Sequence, residues 1–571
     1  MNGTASGAGI LCSELERLGV EHVFALAGTE LLALSETLRR SSLRTIRPTH
    51  ELAAAFMANG YARASGRPGV MAAIPGPGLA YTLAALVEAR TDSVPLVCIV
   101  PGAMKLTGPS AEGGMLASEA CAQVTKARIR NAGFTSLRED VRRAVEVAVG
   151  GEPGPVLLEV PGAELVAQGA IPEPTPRGSA PAVPATAVDE ILGILAASRR
   201  AVLLLGAGVS GRPDCVRALA EALHSPVLTT TTARGVLPES HPLCLARDLG
   251  FAPIERVNDL LAAADAVLAL GWKGSSNGSG GYRLEVAPDK FLRVDASDRL
   301  LREGPAARLK LHADSAAVVS ELARQVDRFA GRAHGWDDTD LASRREAMLA
   351  GMRSGGAQPV IAGAEPQDFF AALRRVLPAD AVVVTDSGLH QMLVRRNFEV
   401  NATRGLIVPS DFQSMGFGLP AAIGASLAAP RRRVVAIIGD GGLLMSGMDI
   451  VTAVEQQLDL KVVVFCDRRL NLIYRQQVER FGHSNGTELP YVDVRALAEA
   501  VGCSYARVGD GGLDAGLRAA LLGPGVSLVE VPVAETLQMY KARVTAVARS
   551  VVAGARDGSM LKSALARLRG R

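Results

Sequence analysis

The amino-acid sequence predicts an α/β fold made of three consecutive domains, each a doubly wound parallel sheet. Three stretches of the 571-residue chain repeat the same order of short apolar run, glycine turn and helical pattern. Strands that alternate with helical stretches are typical of parallel sheets covered on both faces. Two segments rich in proline, glycine or charged residues separate the stretches. A chain of this length is also too long to fold around a single hydrophobic core.

The predicted domains comprise residues 8–165, 186–330 and 363–540. Linkers are predicted at 166–185, where 171–186 is proline-rich, and at 331–362, and a basic tail at 541–571. The predicted strands are 23–26, 69–74, 96–100 and 156–160 in the first domain, 201–205, 226–230, 266–270 and 291–295 in the second, and 381–385, 434–438, 462–465 and 527–531 in the third.

Composition argues against several classes of partner. The 61 basic residues nearly balance the 58 acidic ones, for a net charge of +3, which favours neither nucleic acid nor an anionic membrane surface. No uncharged apolar run reaches the roughly 18 residues of a membrane span. The seven cysteines show no CxxC spacing, and the N-terminus lacks a secretory pattern. We therefore expect a cytoplasmic protein without a structural zinc site.

The clearest candidate site lies between residues 431 and 473. The apolar run 434–438 ends at Gly439-Asp440-Gly441-Gly442, and the next predicted strand ends at Asp467, 27 residues after Asp440. That separation is one strand-helix-strand crossover, and ligands of open parallel sheets bind at the carboxyl ends of the strands. If the two strands are neighbours, both carboxylates can reach one Mg²⁺ or Ca²⁺ ion.

The glycines around Asp440 add a second feature. Without side chains at these positions, backbone N–H groups and the following helix N-terminus can meet a phosphate. The pattern therefore predicts a metal-diphosphate site. The alternative is an ordinary tight connection between a strand and a helix.

A second candidate is Glu51, at the start of the alanine-rich helical stretch in residues 47–66. A face of small residues suits close packing against another backbone. A carboxylate in such a place is costly unless it is protonated or hydrogen-bonded. The alternative is an acidic residue that the helix dipole favours in the first turn.

Further motifs extend over nearly the whole chain. They are GVEHVFALAG at 19–28, Thr49-His50-Glu51 followed by NGYARASGRPGV at 59–70, PGPG at 75–78, SMGFGLPAAIGA at 414–425 and LAEAVG at 497–502. Together with the glycine-aspartate turn and the later acid, they resemble the thiamine diphosphate enzymes of the acetolactate synthase and pyruvate oxidase/decarboxylase superfamily.

The resemblance implies that the first domain binds the aminopyrimidine of thiamine diphosphate and the third binds its diphosphate. In that superfamily the two come from different subunits, so a homodimer or homotetramer is implied. Glu51 matches the glutamate that contacts N1′ of the pyrimidine and thereby promotes loss of the proton from thiazolium C2.

The resemblance also implies metal and cofactor contacts in this chain. Asp440, Asp467 and the backbone carbonyl of Arg469 would bind Mg²⁺, with Asp467 standing where the pattern usually has asparagine. Met415 would hold the cofactor in its bent conformation, and the carbonyl of Gln413 would accept from the pyrimidine amine. The other implied contacts are Gly28, Pro77, Ser387, Gly388, His390, Gly439, Gly441, Gly442 and Met445.

The chain departs from acetolactate synthases in three segments. In residues 113–121, Ser118 or a neighbour stands where those enzymes have a glutamine. The PGPG turn continues as Leu79-Ala80-Tyr81 instead of the usual Ala-Thr-Asn, and residues 271–282 lack the run that usually contacts flavin. FAD is therefore not favoured. The substrate pocket is expected near Thr29, Ser118, Asn471 and Ile473, which do not identify a substrate.

Residues 206–211 match GxGxxG after a predicted strand. A dinucleotide site also needs an acid near the end of the next strand, where residues 229–232 are all threonine. NAD binding is therefore not expected.

The predicted function is a thiamine diphosphate- and Mg²⁺-dependent enzyme that cleaves a C–C bond next to the carbonyl of a 2-oxo acid. Acetolactate-type carboligation is the first choice, and simple 2-oxo acid decarboxylation is the second. A flavin-dependent oxidase, an NAD-linked dehydrogenase and a non-catalytic paralogue are the remaining alternatives.

Overall fold

The computed structural model describes residues 4–102, 109–173, 183–353, 358–509 and 512–535. Within these ranges three largely parallel sheets flanked by helices follow one another, which confirms the predicted fold class. None of the helices in these ranges is long and apolar enough to cross a bilayer. The predicted basic tail and residues 174–182 of the first predicted linker lie outside the described residues.

The first domain is a parallel sheet with a short antiparallel pair beside it. Its strands are β1 Thr4–Ser6, β2 His22–Ala25, β3 Arg44–Ile46, β4 Gly69–Ala72, β5 Leu96–Pro101, β6 Ala127–Arg130, β7 Pro155–Val160 and β8 Gln168–Ala170. Its helices are α1 Gly7–Arg17, α2 Leu32–Arg40, α3 Glu51–Ser65, α4 Pro77–Tyr81, α5 Leu83–Thr91, α6 Pro109–Val124, α7 Leu137–Val149 and α8 Gly162–Val166. The parallel order is β3-β2-β4-β5-β7-β6, and β1 pairs with β8.

The central domain repeats this plan in a six-stranded parallel sheet. Its strands are β9 Ala201–Leu205, β10 Val227–Thr229, β11 Cys244–Ala246, β12 Ala266–Leu270, β13 Phe291–Asp295 and β14 Leu309–His312. Its helices are α9 Ala185–Ala197, α10 Pro213–Leu223, α11 Ile254–Ala263, α12 Asp298–Glu303, α13 Ser315–Arg324 and α14 Asp338–Arg353. The order is β11-β10-β9-β12-β13-β14, and the inner strand β9 is buried throughout.

Helix α14 lies within residues 331–362, which the sequence predicts as a linker. Leu341 and Met348 are buried in the central core, and Arg345 donates to the carbonyl oxygens of Cys244 at 3.2 Å and Glu239 at 2.7 Å. The helix therefore belongs to the central domain. It is hard to recognise in the sequence because most of its residues are charged or small and its apolar stripe is narrow.

The third domain is a parallel sheet with one antiparallel edge strand. Its strands are β15 Val360–Ile361, β16 Val382–Thr385, β17 Leu406–Ile407, β18 Val434–Gly439, β19 Leu460–Cys466, β20 Ser504–Arg507 and β21 Ser527–Ala534. Its helices are α15 Pro366–Val376, α16 Leu389–Asn397, α17 Gly418–Ala428, α18 Asp440–Ser446, α19 Ile450–Glu455, α20 Asn471–Phe481, α21 Val494–Val501 and α22 Leu513–Leu521. The order is β15-β21-β19-β18-β16-β17, and β20 also pairs with β21.

The first and third domains meet through α3 and α17. A Cβ added at Gly60 of α3 would lie 1.9 Å from the carbonyl oxygen of Ala421. The relation is reciprocal, because a Cβ added at Gly424 of α17 would lie 1.9 Å from the carbonyl oxygen of Met57. Backbone thus packs on backbone here, which confirms the close packing expected of the alanine-rich stretch.

Candidate active site

The two candidate carboxylates lie at the same edge of the third sheet. Strands β18 and β19 are parallel neighbours, with Gly439 opposite Phe465, so the neighbour relation predicted from the sequence is confirmed. The Asp440 carboxylate accepts hydrogen bonds from the backbone N–H groups of Asp467 at 3.2 Å and Arg468 at 2.6 Å. Asp440 therefore joins the two strand ends directly.

A cavity opens at this edge and collects most of the predicted third-domain contacts. Twelve of the residues named in the sequence analysis line it. They are Ser387, Gly388, His390, Met415, Gly439, Asp440, Gly441, Gly442, Asp467, Arg469, Asn471 and Ile473. Segments that are distant in the chain thus contribute to one site.

The glycines of the turn are required by close contacts rather than by an unusual backbone. A Cβ added at Gly439 would lie 3.1 Å from Nδ1 of His390, and one added at Gly442 would lie 2.3 Å from Oδ2 of Asp386. A side chain at either position would push into the cavity wall. The first turn of α18 is therefore bare backbone toward the cavity, as a phosphate group requires.

Burial disfavours the charged forms of both carboxyl groups. It raises the pKa of Asp440, and it raises the pKa of Asp467 to about 6, with a further contribution from the neighbouring Asp440 charge. The nearby Arg469 guanidinium pairs instead with Glu535 at 3.0 Å. Two desolvated carboxyl groups facing one cavity fit a divalent cation, which would favour their ionised forms.

No cluster of three or more histidine, cysteine, aspartate or glutamate side chains in the described ranges could hold a metal ion. The predicted ligand set is of a different kind, since it has two carboxylates and one backbone carbonyl.

His390 supplies a neutral donor to the same cavity. Its side chain is buried, and burial lowers its pKa to about 4, so the imidazole is uncharged near neutral pH. Its Nε2 has no hydrogen-bond partner among the described residues. A buried polar atom without a partner is uncommon, and a ligand oxygen in the cavity would satisfy it. The residues present therefore fit a diphosphate held through a metal ion.

The first domain gathers a separate group of predicted residues. Glu51 is the first residue of α3 and is only 7% exposed. A Cβ added at Gly78 would lie 2.7 Å from Oε1 of Glu51, and one added at Gly28 would lie 2.3 Å from Cγ2 of Ile74. Pro77 begins the short helix α4 next to Gly78. Gly28, Pro77 and Glu51 thus belong to one region, and Glu51 does not line the third-domain cavity described above.

Four other predicted residues lie away from the cavity lining. Thr29 is exposed, and Met445 is 60% exposed on α18. Gln413 lies at the rim, where its Oε1 is 3.5 Å from the Ser387 hydroxyl. Ser118 is buried and donates a hydrogen bond to Glu159, which also accepts from Arg128 at 2.8 Å.

Three buried acids that the sequence reasoning missed hold the loop 408–416, which carries Gln413 and Met415. Asp386 accepts from the backbone N–H groups of Ser387 at 2.8 Å and Gly416 at 3.0 Å. Burial raises its pKa to about 7. Its position directly after a predicted strand, in Thr385-Asp386-Ser387, was the available signal.

The other two missed acids come from the first domain of the same chain. Glu88 on α5 accepts from the backbone N–H of Ser414 at 3.1 Å, and Asp92 accepts from the N–H of Ser410 at 3.0 Å. Arg63 of α3 donates to Asp92 at 2.7 Å. Within this loop Gln413 has a φ of +65°, a conformation that non-glycine residues seldom adopt and that the surrounding contacts must support.

The GxGxxG turn of the central domain packs against the turn that follows β12. A Cβ added at Gly206 would lie 1.8 Å from the carbonyl oxygen of Gly271, so the turns that follow β9 and β12 lie directly against each other. Thr231, after β10, donates to Asp248 at 3.0 Å. Gly206 is therefore in contact with the neighbouring turn, whereas Ala207 and Gly208 of the same motif are exposed.

These features define the class of the protein as an α/β protein with a carboxylate-lined cavity at the carboxyl edge of a parallel sheet. Sequence profiles of thiamine pyrophosphate enzymes match all three domains. The N-terminal binding domain matches residues 5–105, the central domain matches 188–322, and the C-terminal binding domain matches 386–531. The chain belongs to the thiamine pyrophosphate enzyme family and is a thiamine diphosphate-dependent enzyme.

Similar proteins include several acetolactate synthases. The chain is 30% identical over 485 residues to acetolactate synthase isozyme 1 large subunit of Escherichia coli, covering 83% of each chain. It is 29% identical over 528 residues to a probable acetolactate synthase large subunit of Methanocaldococcus jannaschii, covering 88% of this chain and 87% of the relative. It is 30% identical over 561 residues to probable acetolactate synthase 2, chloroplastic, of Oryza sativa, covering 93% of this chain and 83% of the relative.

Proposed function

We propose that the protein is a thiamine diphosphate- and Mg²⁺-dependent enzyme acting on a 2-oxo acid, with acetolactate-type carboligation as its leading reaction. The observation that carries the proposal is the cavity lined by Asp440, Asp467 and His390, whose Nε2 has no hydrogen-bond partner in the part of the chain that the structure describes. The names of relatives that are 30% identical over most of the chain support the same reaction class.

In this proposal the third domain binds the diphosphate and its metal ion. The carboxylates of Asp440 and Asp467 and the backbone carbonyl of Arg469 bind Mg²⁺, whose preferred ligands are oxygens. The bare first turn of α18 receives the phosphate groups. The neutral His390 donates from Nε2 to a diphosphate oxygen, which satisfies a nitrogen that no described residue reaches.

Thiamine diphosphate, when bound, supplies the nucleophilic carbon and the electron sink for decarboxylation of a 2-oxo acid. The protein orients it and controls one proton. The Glu51 carboxylate, shielded from bulk water by its burial beside Gly78, would share that proton with N1′ of the pyrimidine. Met415 and Gln413, on the loop held by Glu88 and Asp92, support the rest of the cofactor.

The site requires a second copy of the chain in this proposal. Glu51 does not line the cavity that contains Asp440 within one chain. Leu444, Met445 and Met448, in and just after α18 beside the cavity, are 47%, 60% and 57% exposed. An exposed apolar patch of this kind commonly marks an interface. A homodimer or homotetramer would cover it and bring the partner's first domain to the cavity.

The central domain is proposed to work without FAD. The contact between the turns at Gly206 and Gly271 supports this, as does the absence of the usual flavin-contacting run in 271–282. A colourless purified protein is the expected observation. A cytoplasmic location and the lack of a nucleic-acid or membrane partner remain predictions from composition.

Simple decarboxylation is the second candidate because of Ser118. Acetolactate synthases carry a glutamine in the corresponding segment, whereas Ser118 here is buried in a network with Glu159 and Arg128. It therefore offers no side chain to an acceptor substrate in the cavity.

The test combines calorimetry with product analysis. We expect uptake of thiamine diphosphate in the presence of Mg²⁺, and release of CO₂ from pyruvate or another 2-oxo acid. Acetolactate as product supports carboligation, and an aldehyde as sole product supports decarboxylation. Absence of cofactor uptake would reject the site, and absence of turnover with bound cofactor across a panel of 2-oxo acids would reject the reaction.

A further inference from the structure

We propose that Asp467 makes binding of thiamine diphosphate depend strongly on the divalent metal ion, and that Asn471 is the residue that positions the Asp467 carboxylate. The inference rests on the proposed function, since it concerns the same metal and cofactor. It goes further by assigning a role to the aspartate that replaces the usual asparagine and to a residue four positions later.

Two hydrogen bonds hold the Asp467 carboxylate in one orientation. Its Oδ1 accepts from the backbone N–H of Arg469 at 3.1 Å, and its Oδ2 accepts from the side-chain amide of Asn471 at 2.5 Å. Asn471 is the first residue of α20, so the helix start fixes where the amide lies. Each carboxylate oxygen accepts more than one hydrogen bond or metal contact, so both retain capacity toward the cavity.

Asn471 is well suited to this task because it donates a hydrogen bond without adding a charge. Its side chain lines the cavity and is 7% exposed, and its Oδ1 has no hydrogen-bond partner among the described residues. A lysine or arginine in the same place would neutralise Asp467 and compete with the metal.

Within the described residues neither Asp440 nor Asp467 forms a salt bridge, although the nearby Arg469 guanidinium acts to lower the pKa of Asp467 against the larger effect of burial. Arg469, the cationic side chain in the cavity lining, pairs with Glu535 and lies over the Tyr474 ring at 4.3 Å. The charge of Asp467 therefore acts on whatever enters the cavity.

The consequence follows from thermodynamic coupling. Without a metal ion, two carboxylates repel an incoming diphosphate, and with a divalent cation between them the repulsion becomes attraction through the ion. The metal therefore raises cofactor affinity by a larger factor with two carboxylates than with one. By reciprocity the cofactor raises metal affinity by the same factor. We expect Asp467→Asn to reduce this factor about tenfold, within the usual range of such couplings.

The experiment measures affinity rather than turnover. The full-length protein is freed of metal and cofactor, and thiamine diphosphate is titrated by calorimetry at pH 8 with and without saturating Mg²⁺. When metal-free cofactor binding is too weak to measure, Mg²⁺ is titrated both without cofactor and with saturating cofactor, and the ratio of the two Mg²⁺ affinities gives the same factor. The variants are Asp467→Asn, Asn471→Ala and the double variant.

Asp459→Asn is the matched control. Asp459 precedes β19 and Asp467 follows it. The control and the test variant therefore each remove one carboxylate, at opposite ends of the same strand. Asp459 pairs with Arg433 at 2.6 Å and with Lys461 at 3.1 Å, and it does not line the cavity. We expect Asp459→Asn to leave the metal-dependent factor unchanged.

The expected pattern separates positioning from general damage. In the native background, Asn471→Ala should lower the factor by which Mg²⁺ raises cofactor affinity. In the Asp467→Asn background the same change should have little effect, because the hydrogen-bond partner of Asn471 has already lost its charge. If Asn471→Ala unfolds, Asn471→Ser replaces it. The proposal is overturned if Asp467→Asn keeps the native factor, or if Asn471→Ala acts equally in both backgrounds. Failure of the native protein to bind cofactor with Mg²⁺ would instead reject the proposed function.

Discussion

Replacing Gly60 with alanine should force apart the two helices that join the first and third domains. The added Cβ would lie 1.9 Å from the Ala421 carbonyl oxygen, whereas real Cβ atoms essentially never come closer than 3.0 Å. The obstacle is backbone of α17 and not a flexible side chain. The helices must therefore separate by about 1.1 Å, or bend by an equivalent amount, to accept one methyl group.

The magnitude follows from two opposing effects. Alanine in a helix interior is favoured over glycine by about 1 kcal/mol. Overpacking of a tight contact costs about 1–3 kcal/mol, and the upper part of that range applies where backbone must move. We expect a net loss of about 2 kcal/mol in the free energy of unfolding. Activity should fall about 100-fold, because α3 begins at Glu51 and a shift of about 1 Å in catalytic geometry has that effect.

Gly193→Ala is the control for helix propensity. Gly193 lies inside α9, and an added Cβ there meets nothing within 4 Å. That variant should be stabilised by up to about 1 kcal/mol and keep native activity. The contrast between the two glycines isolates the effect of the helix contact.

The assay is chemical denaturation followed by two signals. Both tryptophans of the chain, Trp272 and Trp336, lie in the central core, so their fluorescence reports that domain, whereas far-ultraviolet circular dichroism reports all three. Gly60→Ala should lower the denaturant concentration at the midpoint of the circular dichroism transition. The midpoint of the fluorescence transition should shift less. Equal midpoints and equal activity for Gly60→Ala and Gly193→Ala would refute the reasoning, since the two helices could not then be so close.

Three further outcomes are expected. Glu51→Gln should reduce the rate of proton exchange at C2 of bound thiamine diphosphate, measured by NMR with deuterium, by at least 100-fold. The circular dichroism spectrum should stay unchanged, and a native exchange rate in this variant would remove Glu51 from the mechanism. Chelation of divalent ions should abolish turnover, and Mg²⁺ should restore it; activity that survives complete chelation would contradict a metal role for Asp440 and Asp467. Burial raises the pKa of Glu88 to about 7, with Asp92 adding to the shift and Arg63 opposing it, so folding stability should decrease as pH rises from about 5 through 7. Glu88→Gln should flatten that decrease in denaturation midpoints measured between pH 5 and 8, and an unchanged slope would show that another group is responsible.

The inner strands of each sheet could be predicted because both of their faces are buried. Runs such as Ala201–Leu205 and Val434–Gly439 are apolar at nearly every position, and the structure places them within a residue or two of the prediction. The edge strands Arg44–Ile46, Cys244–Ala246, Leu406–Ile407 and Ser504–Arg507 were missed. All four have four residues or fewer, which is too short to give a recognisable apolar run or alternation. Arg44–Ile46 and Ser504–Arg507 are also partly exposed and carry arginine or serine, whereas Cys244–Ala246 and Leu406–Ile407 are buried.

Most of the candidate site was also within reach of the sequence. The glycine-aspartate turn and the later aspartate each stand directly after an apolar run, so both carboxylates are predicted at one sheet edge if the two strands are neighbours. The residues that hold the loop 408–416 were not predictable in this way. Glu88 lies 326 residues from Ser414, and Asp92 lies 318 residues from Ser410, so no local pattern connects them.

The sequence by itself determined the three α/β domains and the residues that end their central strands, because the alternation of apolar runs with helical stretches is a local property. Only the tertiary structure decided which surfaces meet. It placed Ser118 in a buried ion network and set Gly60 against Ala421, and it left the Nε2 of His390 and the Oδ1 of Asn471 without partners among the described residues. These features depend on distances between residues far apart in the chain, which chain order does not contain.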